Sequence, residues 1–556
     1  MLLDGFIPWP EDSVRLYREK GYWEGIPLPA VFGQIAARRG GDQAIVDGGR
    51  RASWDELWAG SSRLAAQMVR LGVGKHDRVV FQLANGIDFF VAFLALTRIG
   101  AIPVMALPPH RETEVVHFAK ASGATALLIP ERVKDFDYRP MAEAVRVTVP
   151  SISRVFVQGQ PLAEQYSLAA LAAAEVPAAE IAAIDAIPLD SNDVVLMLLS
   201  GGTTALPKLI PRTHDDYVYN LKRSAAVAGF GRDTVFLAVL PMAHNYSLGS
   251  PGFLGALYWG GRVVVAPKAD CETVFGLVER EGVTAIAAAV PLVVQWLNDP
   301  KLDRFDTTSL RLVQNGGARL SPELRQRLRQ RLGCQFQEVY GTAEGLLNMT
   351  RLDDPDEAVL NSSGAPICAD DEIRILDIDE RELPDGQSGE LVVRGPYTIR
   401  GYYNAPEVNA RAFTADGFYR MGDVVKKQGR CLFTEGRKKD LINRGGEKIS
   451  TDEIEDMILR HPAVKGVAVV AMSDPVFGEK ACACVTLTNG GALSFDELKQ
   501  FLLSQKIAKF KLPERLEVLD EFPLSPAGKI LRRNLREMVE RNRAAEAAQR
   551  GERKDV

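Results

Sequence analysis

The sequence lacks both the long apolar segments of a membrane protein and the strong charge bias of a nucleic-acid-binding protein. Its apolar runs are short and interrupted, and none reaches the length that spans a bilayer. No basic stretch followed by an apolar core stands at the N-terminus, so no secretory signal is visible. A net charge of −5 gives no reason to expect nucleic acid. We expect a cytoplasmic protein, a monomer or homodimer, with no membrane or nucleic-acid partner.

Cysteine is scarce, and the common metal, redox and P-loop motifs are missing. The 556 residues include six scattered cysteines, and Cys482 and Cys484 are separated by one residue rather than two. This pattern is typical of free thiols in a reducing compartment. The Walker spacing is absent, because Leu209 follows Lys208 where the magnesium-binding hydroxyl would stand. Any phosphate site must therefore be of another type.

Strand and helix signals alternate along most of the chain, which is too long for one hydrophobic core. Such alternation predicts an α/β fold, here a large N-terminal domain of stacked, mostly parallel sheets with helices. The clearest strands are predicted at 77–83, 102–106, 125–129, 235–240, 262–266, 285–290 and 312–315. The clearest helices are predicted at 87–99, 114–121 and 321–332.

A compact run of elements follows Arg437, and its length suits a second, smaller domain. Helices are predicted at 451–459 and 495–505, and strands at 464–471 and 481–487. We therefore expect an N-terminal domain at 1–437, a small α+β domain at 438–540 and a charged tail at 541–556.

The most informative segment follows the apolar run 194–199, where residues 200–208 read SGGTTALPK. A buried strand therefore leads into a loop of small and hydroxyl residues that ends in a lysine. Glycines let the backbone turn and present N–H groups, the hydroxyls add donors, and the lysine adds positive charge. The composition fits a phosphate cradle, and it also fits a plain turn. The cradle would consist of Ser200, Gly201, Gly202, Thr203, Thr204 and Lys208.

Four further segments carry small, aromatic and charged residues at turns. They are 340–345 (YGTAEG), 419–423 (YRMGD), 436–449 (GRKKDLINRGGEKI) and 523–530 (PLSPAGKI). In order and spacing, the five segments resemble the adenylate-forming superfamily of acyl-CoA synthetases, peptide-synthetase adenylation domains and luciferases. The resemblance covers about residues 20–540. Two positions depart from the usual pattern: Ala205 replaces a common glycine, and Met421 replaces a common threonine.

The resemblance implies an enzyme that uses ATP and Mg²⁺ to convert a carboxylate into an acyl-adenylate and pyrophosphate. Glu344 would bind the magnesium ion, Tyr340 would stack on adenine, and Asp423 and Arg437 would reach the ribose or phosphate. Considered alone, Glu344 could be a surface carboxylate, and Asp423 and Arg437 could be a core salt bridge. The remaining implied ATP-binding residues are Gly316, Gly317, Gly341 and Thr342.

The C-terminal segments imply a moving domain. Lys529 matches the catalytic lysine of the family, although its surroundings in the sequence are those of a surface lysine. Lys439 occupies the hinge position about which the small domain of the family rotates. That rotation would bring Gly445 and Gly446 toward the site, where a glycine pair could let a pantetheine arm pass close to the backbone. The pair also fits a hairpin turn, and the two interpretations are compatible.

The stretch 242–252 (MAHNYSLGSPG) indicates which acid is bound. Amino-acid-activating relatives carry an aspartate at the position of Asn245, and a neutral amide would leave the substrate's ammonium unpaired in a dry pocket. Asn245 can instead hydrogen-bond an ortho hydroxyl, and Tyr246 can line one face of an aromatic ring. Ser250 can contact a neighbouring hydroxyl, at a position where family members that favour salicylate often carry cysteine.

The remaining pocket residues have less specific roles. The apolar wall of the pocket would be completed by Ala318, Val339 and Leu347. His244 is expected to gate the site or contact the carboxylate rather than act as a base, because the carboxylate nucleophile is already ionised. The catalytic set is therefore expected to be Lys529, His244 and Lys208.

The resemblance is more specific to the 2,3-dihydroxybenzoate-AMP ligases of catechol siderophore synthesis, and extends to 6–10 (FIPWP), 209–217 (LIPRTHDDY) and 350–355 (TRLDDP). It implies 2,3-dihydroxybenzoate as substrate, salicylate next, and transfer to the phosphopantetheine thiol of a separate aryl carrier protein. A basic cluster could be the docking face for that carrier or simply a solvated surface: Lys506, Lys509, Lys511 and Arg515. The alternatives are an aryl-CoA ligase and a catalytically silent nucleotide-binding scaffold.

Overall fold

Two large sheets with covering helices form most of the molecule in the computed structural model. The structure describes residues 2–200, 207–438, 440–444, 447–488, 491–505, 507–525 and 528–552. The first sheet has a parallel centre and antiparallel strands at both ends. In spatial order its strands are Ala365–Pro366, Gly345–Met349, Gln335–Thr342, Leu312–Gly316, Ala285–Ala288, Val235–Ala238, Arg262–Val265, Gln43–Asp47 and Arg50–Ser53.

The second sheet is parallel except for one antiparallel edge strand, Leu209–Thr213. Its inner strands are apolar at their centres because helices cover both faces, as the buried run Val194–Leu199 illustrates. In spatial order its strands are Leu209–Thr213, Val194–Leu199, Ile102–Met105, Arg78–Phe81, Ala126–Pro130, Arg154–Gln158 and Tyr166–Ser167. A short hairpin pairs Arg132–Val133 with Phe136–Asp137.

A third sheet, entirely antiparallel, ends the N-terminal domain. Its strands in order are Glu372–Leu376, Ser388–Arg394, Tyr419–Gln428 and Cys431–Arg437. The register of the last pair sets Asp423 directly opposite Arg437. Two predicted nucleotide-binding residues are therefore brought together by a β-hairpin.

Helices cover the sheets, and several begin at side-chain caps. Ser321, a residue type that favours this position, accepts a hydrogen bond from the Leu324 N–H at 3.4 Å and caps the helix that follows. The larger helices are Glu11–Glu19, Leu28–Arg39, Trp54–Arg70, Ile87–Arg98, Glu112–Ser122, Tyr138–Thr148, His214–Val227, Cys271–Glu281, Val290–Asn298 and Pro322–Leu332. The shorter ones are Leu168–Ala173, Ala178–Asp185, Asn245–Gly249, Gly252–Tyr258, Asp356–Asn361 and Pro406–Ala412, with a 3₁₀ turn at Pro300–Arg304.

The small C-terminal domain is α+β, as predicted, and has apolar clusters of its own. Its strands are Glu447–Ile449, Ile442–Arg444, Gly478–Leu487, Val464–Asp474 and Arg515–Leu519. Its helices are Thr451–Ile458, Phe495–Ser504 and Arg532–Glu552, with a 3₁₀ turn at Lys509–Lys511. The domain boundary at 437/438 falls at the end of the third sheet and stays a prediction.

The charged segment after residue 540, for which the sequence allows a frayed helix or a disordered tail, is helical in its described part. The last helix continues without a break to Glu552. Arg515 pairs with Glu546 at 2.5 Å, and Arg543 donates to the Ser473 carbonyl at 2.7 Å. These contacts hold the charged face of the helix on the small domain, which composition alone does not reveal.

The predicted strands and helices are all present, with ends that differ from prediction by three residues or fewer. The largest differences occur in the hairpin Val464–Asp474 and Gly478–Leu487, whose polar ends pair beyond the apolar core. None of the described helices is long and apolar enough to cross a membrane. The six cysteines, all of them described, are unpaired, which confirms the expectation of free thiols.

Candidate active site

Tyr340, Asp423 and Arg437 meet at one point between the first and third sheets. The Tyr340 O–H donates to Asp423 Oδ2 at 2.7 Å, and Arg437 Nε lies 3.5 Å from Asp423 Oδ1. Burial raises the pKa of Asp423, and the positive charge of Arg437 opposes that shift. The salt bridge that the sequence analysis gave as the alternative role of Asp423 and Arg437 is thus present. A role for the same groups in binding ribose stays a prediction.

Glu344 is buried where the strand Gln335–Thr342 turns into its neighbour. The Tyr402 O–H donates to Glu344 Oε1 at 2.7 Å, so the carboxylate is held in place. The ammonium of Lys208 lies 4.4 Å from the centre of the Tyr402 ring. The predicted magnesium ligand and the lysine of the predicted phosphate loop therefore share one aromatic neighbour.

Lys529 reaches from the small domain into this region. A Cβ added to Gly317 would lie 3.2 Å from Lys529 Cε and 3.9 Å from its Nζ, so the lysine stem packs on the Gly317 backbone. Gly317 also has φ +87°, which favours glycine. The Lys529 side chain thus lies over the loop that follows the strand Leu312–Gly316. That this is the adenylating orientation stays a prediction.

Several of the predicted groups lie close enough to Lys529 to affect its charge state. The pKa of Lys529 is lowered to about 8, first by burial and then by the positive charge of Arg437, while the carboxylates of Asp423 and Glu344 oppose the shift. Burial also lowers the pKa of His244 to about 4, with Lys529 adding to the effect. His244 is therefore neutral at pH 7, and its N–H can donate to a carboxylate without adding charge.

The aromatic ring of Tyr246 packs against the start of the same loop. A Cβ added to Gly316 would lie 2.8 Å from Tyr246 Cζ, so any side chain at Gly316 would have to displace the ring. Tyr246 is buried, and so are Val339 and Leu347 of the predicted pocket wall. Ala318 is exposed, and its carbonyl accepts from Asn315 Nδ2 at 2.8 Å; its place in the pocket wall stays a prediction.

Asn245 and Ser250 lie in one hydrogen-bond chain. The Tyr217 O–H donates to Asn245 Oδ1 at 3.1 Å, and Asn245 Nδ2 donates to Ser250 Oγ at 3.2 Å. Asn220 Nδ2 donates to the same Ser250 Oγ at 3.3 Å. The two residues predicted to read the ring hydroxyls are therefore adjacent and fixed by the helix His214–Val227 behind them.

The remaining predicted residues are partly described. Thr342 Oγ1 donates to the Gly345 carbonyl at 3.0 Å, and Gly341 is exposed beside Tyr340. Ser200 Oγ accepts from the Lys208 N–H at 2.9 Å, which fixes the two ends of the predicted phosphate loop. The other predicted residues lie outside the described part of the chain: Gly201, Gly202, Thr203 and Thr204 of the cradle, Lys439 of the hinge, and Gly445 and Gly446 of the thiol path.

Sequence reasoning missed the residues that hold the site from behind. Tyr402 orients Glu344, and Tyr217 and Asn220 orient the aryl-binding pair, but no local motif marks these roles. A buried ion pair of Arg325 with Glu338 at 3.1 Å supports the strand end below the loop 315–319, where Glu338 accepts from Asn315 Nδ2. The start of the supporting helix His214–Val227 does have a sequence signal. Thr213 and Asp216 have the three-residue spacing of a capping box.

The pKa of Lys529 leads to a testable pH dependence. A value of about 8 means that the ammonium loses its proton near pH 8, well below its ordinary range. If the charged form is needed, kcat/KM for adenylation, which reports the free enzyme, should fall about tenfold per pH unit above pH 8. The profile should be measured by pyrophosphate–ATP exchange.

Thioester formation from preformed adenylate should lack this basic limb, because Lys529 is predicted to act in adenylation only. A limb that begins only above pH 10 would show that Lys529 is not desolvated as in the structure.

Comparisons with known proteins agree with this arrangement. Residues 32–403 match the family described as AMP-binding enzyme, and residues 453–529 match the AMP-binding enzyme C-terminal domain. The chain is 44% identical to the 2,3-dihydroxybenzoate-AMP ligase of Bacillus subtilis, over 97% of this chain and 98% of that protein. It is 45% identical to a Streptomyces protein named salicylyl-CoA synthase / salicylate adenylyltransferase, over 97% of this chain and 98% of that protein.

A solved structure extends the likeness to the fold. The apo structure of Mycobacterium smegmatis MbtA has a TM-score of 0.74 and 39% sequence identity, and the match covers 96% of this chain and 98% of that one. The similar proteins are named as ligases or synthases, so a catalytically silent scaffold finds no support in them. Both family matches, the extent of the identity and the converging site residues agree: the chain belongs to the AMP-binding enzyme family and is an adenylate-forming ligase.

Proposed function

We propose that this ligase activates 2,3-dihydroxybenzoate with ATP and transfers the aryl group to the phosphopantetheine thiol of a separate aryl carrier protein, in siderophore synthesis. First, a carboxylate oxygen attacks the α-phosphorus, the bond from that phosphorus to the bridging oxygen breaks, and pyrophosphate leaves. Then the thiol sulfur attacks the acyl carbon, its proton goes to solvent, and AMP leaves. No oxidant or reductant is needed.

Lys529 supports the first step through its position. Negative charge collects where the carboxylate meets the α-phosphate, and a preorganised ammonium there stabilises the transition state more than it stabilises the separate reactants. Lys529 lies on Gly317, near both His244 and the Asp423–Arg437 pair. The neutral His244 imidazole is proposed to donate to the aryl carboxylate and hold its attacking oxygen in line.

The residues around Glu344 fit a magnesium ion that ATP brings with it. Mg²⁺ usually takes one or two protein carboxylates and completes its shell with waters and phosphate oxygens. Glu344 supplies one buried carboxylate, and no cluster of three or more ligating side chains occurs among the residues that the structure describes. When bound, the ion would neutralise phosphate charge and polarise the phosphorus for attack.

The observation that carries the choice of acid is the hydrogen-bond chain from Tyr217 through Asn245 to Ser250. Ser250 Oγ accepts from both Asn245 and Asn220, so the Ser250 proton remains to meet a hydroxyl oxygen. Asn245 keeps one N–H and one lone pair for an ortho hydroxyl. A catechol acid offers hydroxyls at two adjacent positions, and its neutral ring suits these neutral partners better than an ammonium would.

The acceptor is the less constrained part of the proposal. Coenzyme A is the second candidate, because the similar Streptomyces protein carries CoA synthase in its name. The predicted basic docking face is weakened, since Lys511 pairs with Glu453 at 2.6 Å and Arg515 with Glu546 at 2.5 Å inside the domain. Lys506 lies outside the described residues.

The test is acid-dependent pyrophosphate–ATP exchange with 2,3-dihydroxybenzoate, salicylate, benzoate and a panel of amino acids. We expect exchange with the first two acids and none with the amino acids. Thioester formation should then be compared with a phosphopantetheine-loaded aryl carrier and with coenzyme A. Exchange driven best by an amino acid would overturn the choice of acid, and faster transfer to coenzyme A would replace the carrier as acceptor.

Ser250 should set the preference between the two hydroxybenzoates. If its proton meets the 3-hydroxyl, wild type should prefer 2,3-dihydroxybenzoate, because salicylate leaves a buried serine unpaired. Ser250→Cys should shift the ratio of specificity constants toward salicylate by about 1 kcal/mol, the size of one neutral hydrogen bond. Both acids should be measured with both proteins. An unchanged ratio would show that Ser250 does not read the 3-hydroxyl.

A further inference from the structure

Helix Thr451–Ile458 of the small domain docks on the loop that carries Gly317. Asp456 of this helix forms an ion pair with Arg319, two residues after Gly317. Both side chains are largely shielded, with 19% of Arg319 and 20% of Asp456 exposed. A second pair, Arg460 Nε with Glu323 Oε1 at 2.7 Å, is more open on both sides. The shielded pair should therefore carry more of the coupling between the domains.

The same helix holds the base of the Lys529 turn. Glu455, next to Asp456, binds Arg532 through two hydrogen bonds of 2.5 and 2.9 Å. Arg532 also donates to the Val469 carbonyl at 2.7 Å, which fixes it to the domain's sheet. Since Arg532 stands three residues after Lys529, the helix, the Lys529 turn and the sheet are linked through side chains.

One loop of the large domain contacts both the Lys529 turn and the helix Thr451–Ile458. Gly317 receives the Lys529 stem, and Arg319 receives Asp456. Withdrawal of Lys529 by rotation of the small domain would therefore separate Asp456 from Arg319 as well. Burial raises the pKa of Asp456 and Arg319 opposes the shift, so the docked carboxylate depends on its partner.

We infer that the Arg319–Asp456 ion pair is an interdomain latch that favours the adenylating orientation and must open before thiol transfer. Both are positioning residues that act through Lys529. The inference rests on the proposed two-step function. Weakening the latch should slow adenylation and leave thiol transfer intact. Because the effect belongs to the ion pair, loss of either residue should have the same effect as loss of both.

The test uses Asp456→Asn, Arg319→Gln and the double variant in the full-length enzyme. Each single change should lower kcat/KM for pyrophosphate exchange about tenfold, and the double variant should lose no more than either single one. Thioester formation from isolated aryl-adenylate should be unchanged or faster in all three. Asp456→Glu, which keeps the charge, should restore most of the exchange. Charge reversal at Arg319 is avoided because Glu338 lies nearby.

A matched control is Arg329→Gln, on the helix Pro322–Leu332, whose partner Asp356 at 2.9 Å belongs to the same domain. It should leave both half-reactions unchanged. Additive losses, equal losses in both half-reactions, or no loss would each overturn the latch. If Lys529→Ala itself affects both half-reactions equally, the two-orientation scheme fails and the latch fails with it. If Lys529→Ala impairs adenylation alone, a contrary result for the Arg319 and Asp456 variants contradicts only the latch.

Discussion

Lys529→Ala should lower acid-dependent pyrophosphate exchange about a thousandfold and leave thioester formation from isolated aryl-adenylate within about twofold of wild type. The first effect follows from removal of the ammonium that packs on Gly317 among Asp423, Glu344 and Arg437. The second follows from the proposed rotation, which withdraws this side chain before the thiol enters. Both half-reactions should be measured on one preparation, so that retained transfer shows that the small domain is folded.

Lys529→Arg is the informative companion variant. It keeps a positive charge that does not titrate, so any residual adenylation should lack the decline above pH 8. Equal loss of both half-reactions in Lys529→Ala would contradict the assignment of Lys529 to one step. Exchange at the wild-type rate would remove it from catalysis altogether.

Glu344→Gln should lower adenylation about a hundredfold or more and raise the magnesium concentration needed for half-maximal rate. The amide has the size of the carboxylate and can still accept from Tyr402, so the fold and the hydrogen bond at 2.7 Å should survive. What is lost is the negative charge that a hard divalent cation prefers. The measurement is pyrophosphate exchange across a magnesium titration at saturating ATP.

Tyr402→Phe is the matched control, because it removes the donor to Glu344 and keeps the carboxylate. We expect a loss of about fivefold, in line with one hydrogen bond, and a nearly normal magnesium dependence. Transfer from preformed adenylate should be unaffected in both variants. An unchanged magnesium dependence in Glu344→Gln would show that Glu344 does not bind the ion.

The latch and the acid-reading pair show how distant segments complete a site. Asn245 and Ser250 were identified from one short stretch, but their partners Tyr217 and Asn220 lie on a different helix. Arg319 and Asp456 come from two domains. Contacts between residues far apart in sequence follow no fixed periodicity or spacing, so no local sequence pattern predicts them.

The elements themselves were readable because local rules govern them. Apolar runs such as Val194–Leu199 predict buried strands, and Ser321 before a polar helix predicts a cap, since both depend on neighbours within a few residues. The five motif segments indicated the family, the use of ATP and the site residues Glu344, Asp423 and Lys529. They could do so because each segment is a short stretch whose residue types suit its chemistry.

Other properties were decided only by packing. Composition made Lys529 a surface lysine, but in the structure it is half-buried beside Gly317. Composition left residues 541–556 as a frayed helix or a disordered tail, and packing decided for a helix in the described part, where Arg515 pairs with Glu546. Burial sets the pKa of Lys529 near 8 and that of His244 near 4, because desolvation depends on what surrounds a group rather than on its own sequence. The sequence alone predicted the chemical role of each site residue. The charge state and partners of these residues, and the domain orientation that brings Lys529 to Gly317, depend on the tertiary fold.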